Sequence, residues 1–304
     1  MHHPLFIYEY QPESFNFTKE ELMSSKPFQS VNRQRYQCRP QQPIDICLNQ
    51  DVVISEEPLN IVLHWHCEST QKALQKNFMV TMRTPEQDAL LVTGLLLSYD
   101  IIQHAKQILE IANEERNQCD VYLREDVDID WQSLTRQFVS HSGCGICGAS
   151  DVKKLALTFA MDIDETPQWL PLQRVLSLPS QLREQQSLFS ITGGVHSAGL
   201  YRTETCLSVQ EDVGRHNAVD KVIGDVLRRD LLHKQLILML SGRVSFELMQ
   251  KAVAAKIAVV VAIGAPSSLA VAVAKQFNIT LIGFASEHTC NVYHGDFRLI
   301  KPSK

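Results

Sequence analysis

Residues 236–284 read LILMLSGRVSFELMQKAVAAKIAVVVAIGAPSSLAVAVAKQFNITLIGF. Near-continuous β-branched and leucine runs at 236–240, 258–263 and 279–284 alternate with helix-length segments at 244–256 and 267–277. Apolar runs without polar alternation fit strands buried on both faces, and strand–helix–strand alternation fits a parallel α/β sheet. Three turns then fall at strand C-terminal ends: Ser241-Gly242-Arg243, Gly264-Ala265-Pro266-Ser267-Ser268, and the segment after Phe284. Open α/β sheets take ligands at that edge, where helix N-termini offer N–H groups to anions. Ser241, Arg243, Ser267 and Ser268 suit a phosphate-bearing ligand, although neither a P-loop nor a G-x-G-x-x-G is present.

Working toward the N-terminus, a short strand at 189–192 is expected to enter Gly193-Gly194-Val195-His196, and a strand at 200–209 to follow. The latter runs into Glu211-Asp212-Val213-Gly214-Arg215-His216-Asn217. Ala218, Val219, Val222, Ile223, Val226 and Leu227 then form the buried face of an amphipathic helix. Residues of both charge signs packed with glycine into one strand-to-helix turn point to function more than to a solvated loop.

Near the middle lies Ser142-Gly143-Cys144-Gly145-Ile146-Cys147-Gly148, which holds two of the eight cysteines. Glycine beside a thiol leaves the sulfur unshielded, and the helix expected at 149–157 favours a thiolate at its N-terminus. Residues 1–43 are rich in Gln, Pro, Ser and Arg without a sustained period and are expected to form a flexible arm. Strands are expected at 46–54, 59–64, 78–82 and 121–123. Helices are expected after Pro85, with Leu90, Leu91, Leu95 and Leu96 as its stripe, and at 101–110. A polar, Pro-bounded connection at 162–171 suggests a soft boundary between a smaller N-terminal β/α portion, 44–165, and an α/β core, 166–304. One continuous domain is the alternative.

The chain has 304 residues, 44% hydrophobic and 21% charged, which suffices for a full core. Its net charge of −5 argues against broad nucleic-acid binding. Without a signal-peptide pattern or a bilayer-length apolar run, a cytoplasmic location and reduced thiols are expected, with no membrane partner. The remaining cysteines are scattered without ligand spacing.

The cysteine pair admits several chemistries. A structural zinc site needs two more ligands at compact spacing, and no second C-x-x-C exists. A thioredoxin-type pair belongs earlier in its fold. A zinc deaminase needs His-x-Glu ahead of Pro-Cys-x-x-Cys, whereas His196-Ser197-Ala198 lacks the glutamate and follows the cysteines. Covalent sulfur chemistry, in which an accessible thiolate holds sulfur as a persulfide, needs only what the loop supplies. No permanently bound metal is therefore expected.

Gly143-Cys144-Gly145-Ile146-Cys147-Gly148, Gly193-Gly194-Val195-His196, the eleven residues from Glu211 through Arg215-His216-Asn217-Ala218 to Lys221, and Ser241-Gly242-Arg243-Val244-Ser245-Phe246-Glu247 occur in that order. Together with Met82-Arg83-Thr84-Pro85, Ala265-Pro266-Ser267-Ser268 and Asn291-Val292-Tyr293, they resemble the signature segments of the FdhD family, the formate dehydrogenase accessory sulfurtransferases. The resemblance spans 44–300. It implies an α/β fold with a cytidine-deaminase-like core and a mixed, largely parallel sheet, in a homodimer. It implies sulfur received from a cysteine desulfurase and passed to the molybdenum cofactor, a bis(molybdopterin guanine dinucleotide), for formate dehydrogenase or another molybdoenzyme. By the same resemblance Cys144 carries the persulfide and Cys147 assists. Phe284, Ala285, Ser286, Glu287, His288 and Thr289 would contact the guanine dinucleotide; Arg243, Ser267, Ser268, Arg215, His216 and His196 are the further candidates for cofactor contact. A cofactor chaperone that carries no sulfur is the alternative from another class. Family members commonly have arginines after Phe284; Glu287 here weakens the phosphate contact expected there.

Overall fold

The computed structural model describes residues 26–38, 45–67, 72–113, 115–131, 134, 149–159 and 162–300. Residues 236–284 form the expected alternation. β10 (Leu236–Leu240), β11 (Val259–Ala262) and β12 (Thr280–Gly283) are parallel neighbours, and every one of their residues is buried. α6 (Phe246–Ala254) and α7 (Ser268–Gln276) make the crossovers.

The full sheet has six strands in the order β13-β12-β11-β10-β8-β9, with β8 at His196–Arg202, β9 at Thr205–Asp212 and β13 at Asn291–His294. β13, β8 and β9 all join antiparallel. The sheet is therefore mixed: the two adjacent pairings flanking β11 are parallel, and the helix at 215–228 crosses from β9 to β10 over β8, so β9, β10, β11 and β12 run one way while β8 and β13 oppose them. The single strand expected at 200–209 is two, folded back at Thr203, whose φ is +45°.

A second sheet, ordered β4-β3-β6-β5, is built from β3 (Glu57–Cys67), β4 (Lys72–Arg83), β5 (Ile108–Ala112) and β6 (Gln118–Leu123). Leu59, Ile61, Leu63 and Trp65 alternate inward from β3. The helix expected at 101–110 is instead a short 3-10 turn at Ala105–Gln107 followed by β5, whose pairing with β6 overrides helical spacing. Phe28–Gln37 (β1) pairs along its length with Asp45–Ile54 (β2), so this part of the expected arm is one strand of a separate two-stranded ribbon. Residues 1–25 lie outside the described residues.

Between the sheets, α1 (Asp88–Ser98) crosses α5 (Arg215–Arg228), which also packs on β8 and β9. α1 starts at Asp88 rather than at Pro85, after Glu86 and Gln87 in left-handed conformations. A Cβ on Gly94 would lie 1.9 Å from the Asp220 carbonyl oxygen, and one on Gly224 2.0 Å from that of Leu90, so the crossing brings backbone onto backbone. One hydrophobic cluster runs from Leu59 through both helices to Leu299. α2 (Ala149–Thr158) packs on α7, α3 (Leu172–Glu184) packs on β8 and β10, and α4 (Ser187–Thr192) packs on β2. The segment 189–192, expected as a strand, is helical because Glu211 receives the N–H groups of Leu188 and Phe189 at 2.8 and 2.9 Å and so caps α4. β7 (Leu170–Pro171) pairs parallel with β14 (Leu299–Ile300). No helix among the described residues is long and apolar enough to cross a membrane.

Candidate functional site

Among the described residues, the topology brings the separate signature segments to one edge. β10, β11 and β12 end there, β8 begins there at His196, and β9 ends there at Asp212, which pairs with His196. Backbone bonds carry the ladder past the strands: Ser241 donates to the Ser197 carbonyl at 3.0 Å, Gly264 to Gly242 at 3.1 Å, and Phe284 to Gly264 at 3.2 Å. A Cβ on Gly264 would sit 2.8 Å from Gly242, so the two turns touch through backbone.

The polar turn 211–217 divides into two roles. Asp212 is fully buried and accepts from the N–H of Thr84 (3.2 Å), the N–H of Gly214 (2.9 Å), Asn217 Nδ2 (3.1 Å) and Lys221 Nζ (2.7 Å). Asn217 also donates to the Met82 carbonyl at 2.7 Å and Lys221 to that of Thr84 at 3.2 Å. These residues rivet the end of β4 to the start of α5. Arg83 and Thr84 are accordingly buried; Arg83 Nε donates to Asp88 at 2.8 Å. Deeper in α5, Asp220 accepts from Lys251 Nζ at 2.8 Å and from Ser98 Oγ at 2.9 Å. Only Arg215 and His216 are left at the edge from this turn. His216 Nε2 lies 2.7 Å from Glu247 and 3.4 Å from Ser245 Oγ.

His196 is half-buried, with Nδ1 3.5 Å from where a Gly242 Cβ would be. Burial, with Arg215 and His216 nearby, holds its pKa below the ordinary histidine value, so it is neutral at pH 7. Arg243 is exposed at the start of the turn into α6. Ser267 is largely committed: its Oγ accepts from the Ala270 N–H at 3.2 Å to cap α7, and its own N–H goes to the Val244 carbonyl at 2.9 Å. Ser268 is exposed beside it. Phe284 is 50% exposed with φ +52°, a conformation strained for a bulky side chain. Ala285 is buried, donating to the Ala262 carbonyl at 2.9 Å. Ser286, Glu287, His288 and Thr289 are exposed in a turn closed by the Ser286 hydroxyl, which accepts from the N–H of Thr289 at 3.1 Å. Cys144 and Cys147 lie outside the described residues. The buried Cys119 is a packing thiol, pushed up to about 12 by burial.

Among the described residues, arginines without a polar partner gather at this edge. Arg83, Arg116, Arg124, Arg174, Arg202, Arg228, Arg229 and Arg298 each hold a polar or acidic partner. Arg183, Arg215 and Arg243 hold none among the described residues, and all three belong to elements that meet at this edge. Arg215 occupies the first turn of α5, where a cation opposes the helix dipole. Arg183 lines a cleft of about 510 Å³ with Gln186, Phe189, Gly193, Gly194, His196 and Ser241. Neither Arg183 nor Gln186 is visible as a site residue in the sequence, because nothing local marks α3 and α4 as the cleft wall.

Fold and site thus define a mixed α/β protein with arginines that hold no polar partner among the described residues gathered at one strand edge. The sequence pattern of the FdhD/NarQ family matches residues 54–300, and the chain belongs to that family. It is 40% identical over 261 residues to the sulfur carrier protein FdhD of Nocardia farcinica, covering 82% of this chain and 88% of that one. With the sulfur carrier protein FdhD of Sulfolobus acidocaldarius it shares 36% identity over 247 residues, 81% and 90% of the two chains. A crystal structure from Desulfotalea psychrophila, described as a formate dehydrogenase accessory protein, superposes with a TM-score of 0.67 at 23% identity, covering 89% of this chain and 99% of that one.

Proposed function

We propose that this chain is a sulfur carrier in formate dehydrogenase maturation, taking sulfur onto Cys144 and delivering it to a molybdenum cofactor bound at the strand edge. The observation that carries this is the convergence of Arg183, Arg215 and Arg243, each without a partner among the described residues, on the edge where β10, β11 and β12 end. Family membership and the Cys144-x-x-Cys147 loop supply the sulfur chemistry. The Cys144 thiolate attacks the outer sulfur of a persulfide on a cysteine desulfurase; a new S–S bond forms, and the donor cysteine departs as a thiolate. The transfer needs no outside oxidant or reductant. Cys147 assists, and His196, neutral beside Arg215, offers a hydrogen-bonding imidazole to the cargo. The same reading has the chain as a cytoplasmic homodimer whose six-stranded unit is a cytidine-deaminase-like core, with bis(molybdopterin guanine dinucleotide) as cargo.

Cys144→Ala is expected to abolish both sulfur acceptance and support of formate dehydrogenase. A Cys144/Cys147→Ser double variant that retains full support would instead establish a chaperone that carries no sulfur. The anion part is tested separately. Arg215→Ala and Arg243→Ala are each expected to weaken GDP binding by about tenfold, the scale of a lost charge-assisted contact. Unchanged affinity in both, measured by calorimetry, removes the phosphate role.

A further inference from the structure

The cleft beside α3 and α4 has a construction that the phosphate contacts at the turns do not use. Arg183, near the end of α3, places its guanidinium over the Phe189 ring, 4.4 Å from the centroid. It is exposed, lines the cleft and holds no carboxylate among the described residues, so the plane facing away from Phe189 is open. Gln186, 5% exposed, donates through Nε2 to Ser197 Oγ, while its Oε1 takes no donor among the described residues. Ser241 Oγ accepts from the Ser197 N–H at 2.9 Å, which leaves its own proton to give. One cleft thus presents a flat cationic surface, an open amide acceptor and an open hydroxyl donor. At about 510 Å³ it falls in the range of small-molecule sites, ~300–1,000 Å³.

We infer that this cleft is a clamp for a planar heteroaromatic ring, with Arg183 stacked between Phe189 and the ring and Gln186 accepting from a ring N–H. The inference rests on the edge being the cofactor site and assigns one arm of the cargo to α3 and α4. A guanidinium suits this task better than an ammonium because it is planar and stacks on π-faces while keeping its charge. Guanine and pterin share the required chemistry, a flat ring with an amide N–H and an exocyclic amine. The cleft reaches Ser241 after β10, whereas Phe284 follows β12 two strand spacings away, about 10 Å at ~4.8 Å per spacing. A cargo with two ring-bearing arms can place one in the cleft and the other at 284–289.

The test measures binding of GDP, guanosine, pterin and pyrophosphate to the full-length protein and to Arg183→Ala, Arg183→Lys and Gln186→Leu, with melting curves to confirm folding. Arg183→Ala is expected to weaken guanosine and GDP, or pterin, by about tenfold, the scale of one stacking contact, and the ring affected identifies the arm. Arg183→Lys recovers little, because the charge returns without the plane. Gln186→Leu weakens the same ring and leaves pyrophosphate unchanged. Ring affinities unchanged in Arg183→Ala, full recovery in Arg183→Lys, loss confined to pyrophosphate, or no binding of any ring to the unaltered protein each overturn the clamp. Sulfur loading of Cys144 is measured on the unaltered chain; its failure removes the carrier reading and leaves the clamp to be judged on these affinities.

Discussion

Asp212→Ala is expected to destabilise the protein by about 3–5 kcal/mol, the scale for removing one member of a buried ion pair. Asp212 is 0% and Lys221 1% exposed. Without the carboxylate, the Lys221 ammonium is left inside with only the Thr84 carbonyl, and the N–H groups of Thr84 and Gly214 lose their acceptor. Against a typical total stability of roughly 5–15 kcal/mol that is a large fraction, and Tm should fall by roughly 5–8 °C. Asp212→Asn retains an acceptor oxygen and should fall less. Because Asp212 fixes Gly214 and Asn217, GDP affinity should decline along with stability, although Asp212 itself touches no ligand. A melting temperature unchanged in Asp212→Ala would contradict the rivet between β4 and α5.

The second large effect is expected at the helix crossing. Overpacking costs about 1–3 kcal/mol when neighbouring side chains can yield. In Gly224→Ala the new methyl would meet the Leu90 carbonyl oxygen at 2.0 Å and the Gly94 nitrogen at 2.8 Å, and backbone cannot rotate away. α1 and α5 must separate, so the cost should reach about 3 kcal/mol or more. Gly193→Ala is the contrast: nothing lies within 4 Å of its Cβ, and only its φ of +65° opposes the change. Denaturant unfolding of the two variants should differ clearly, with Gly224→Ala far the weaker; equal midpoints would refute the close crossing.

These two positions show where sequence was readable and where it was not. The run 236–284 was legible because strands buried on both faces are apolar at every position, a pattern few other structures share. The segment 101–110 satisfies helical spacing through Ile101, Ala105 and Ile108, and only the partner β6 decides for turn and strand. β1 carries no alternation to find, since most of its residues are exposed on both faces. The edge residues Arg215, Arg243 and His196 could be named because they stand in dense polar turns. Their division of labour could not: Asp212 and Lys221 look as functional as Arg215 in sequence, and only burial separates structural pairs from open cations. Arg183 and Gln186 sit in an ordinary amphipathic stretch. Their meaning arises when α4, capped by Glu211 from β9, turns Phe189 toward α3.

The central claim is that sulfur travels on Cys144. Incubating the protein with a cysteine desulfurase and cysteine, then digesting under non-reducing conditions, allows the peptide containing Ser142 to Gly148 to be weighed. A gain of one sulfur atom on that peptide, removed by reductant and absent in Cys144→Ala, is the predicted result. Equal sulfur acceptance by Cys144→Ala, or no gain on that peptide while the protein still supports formate dehydrogenase, would contradict it.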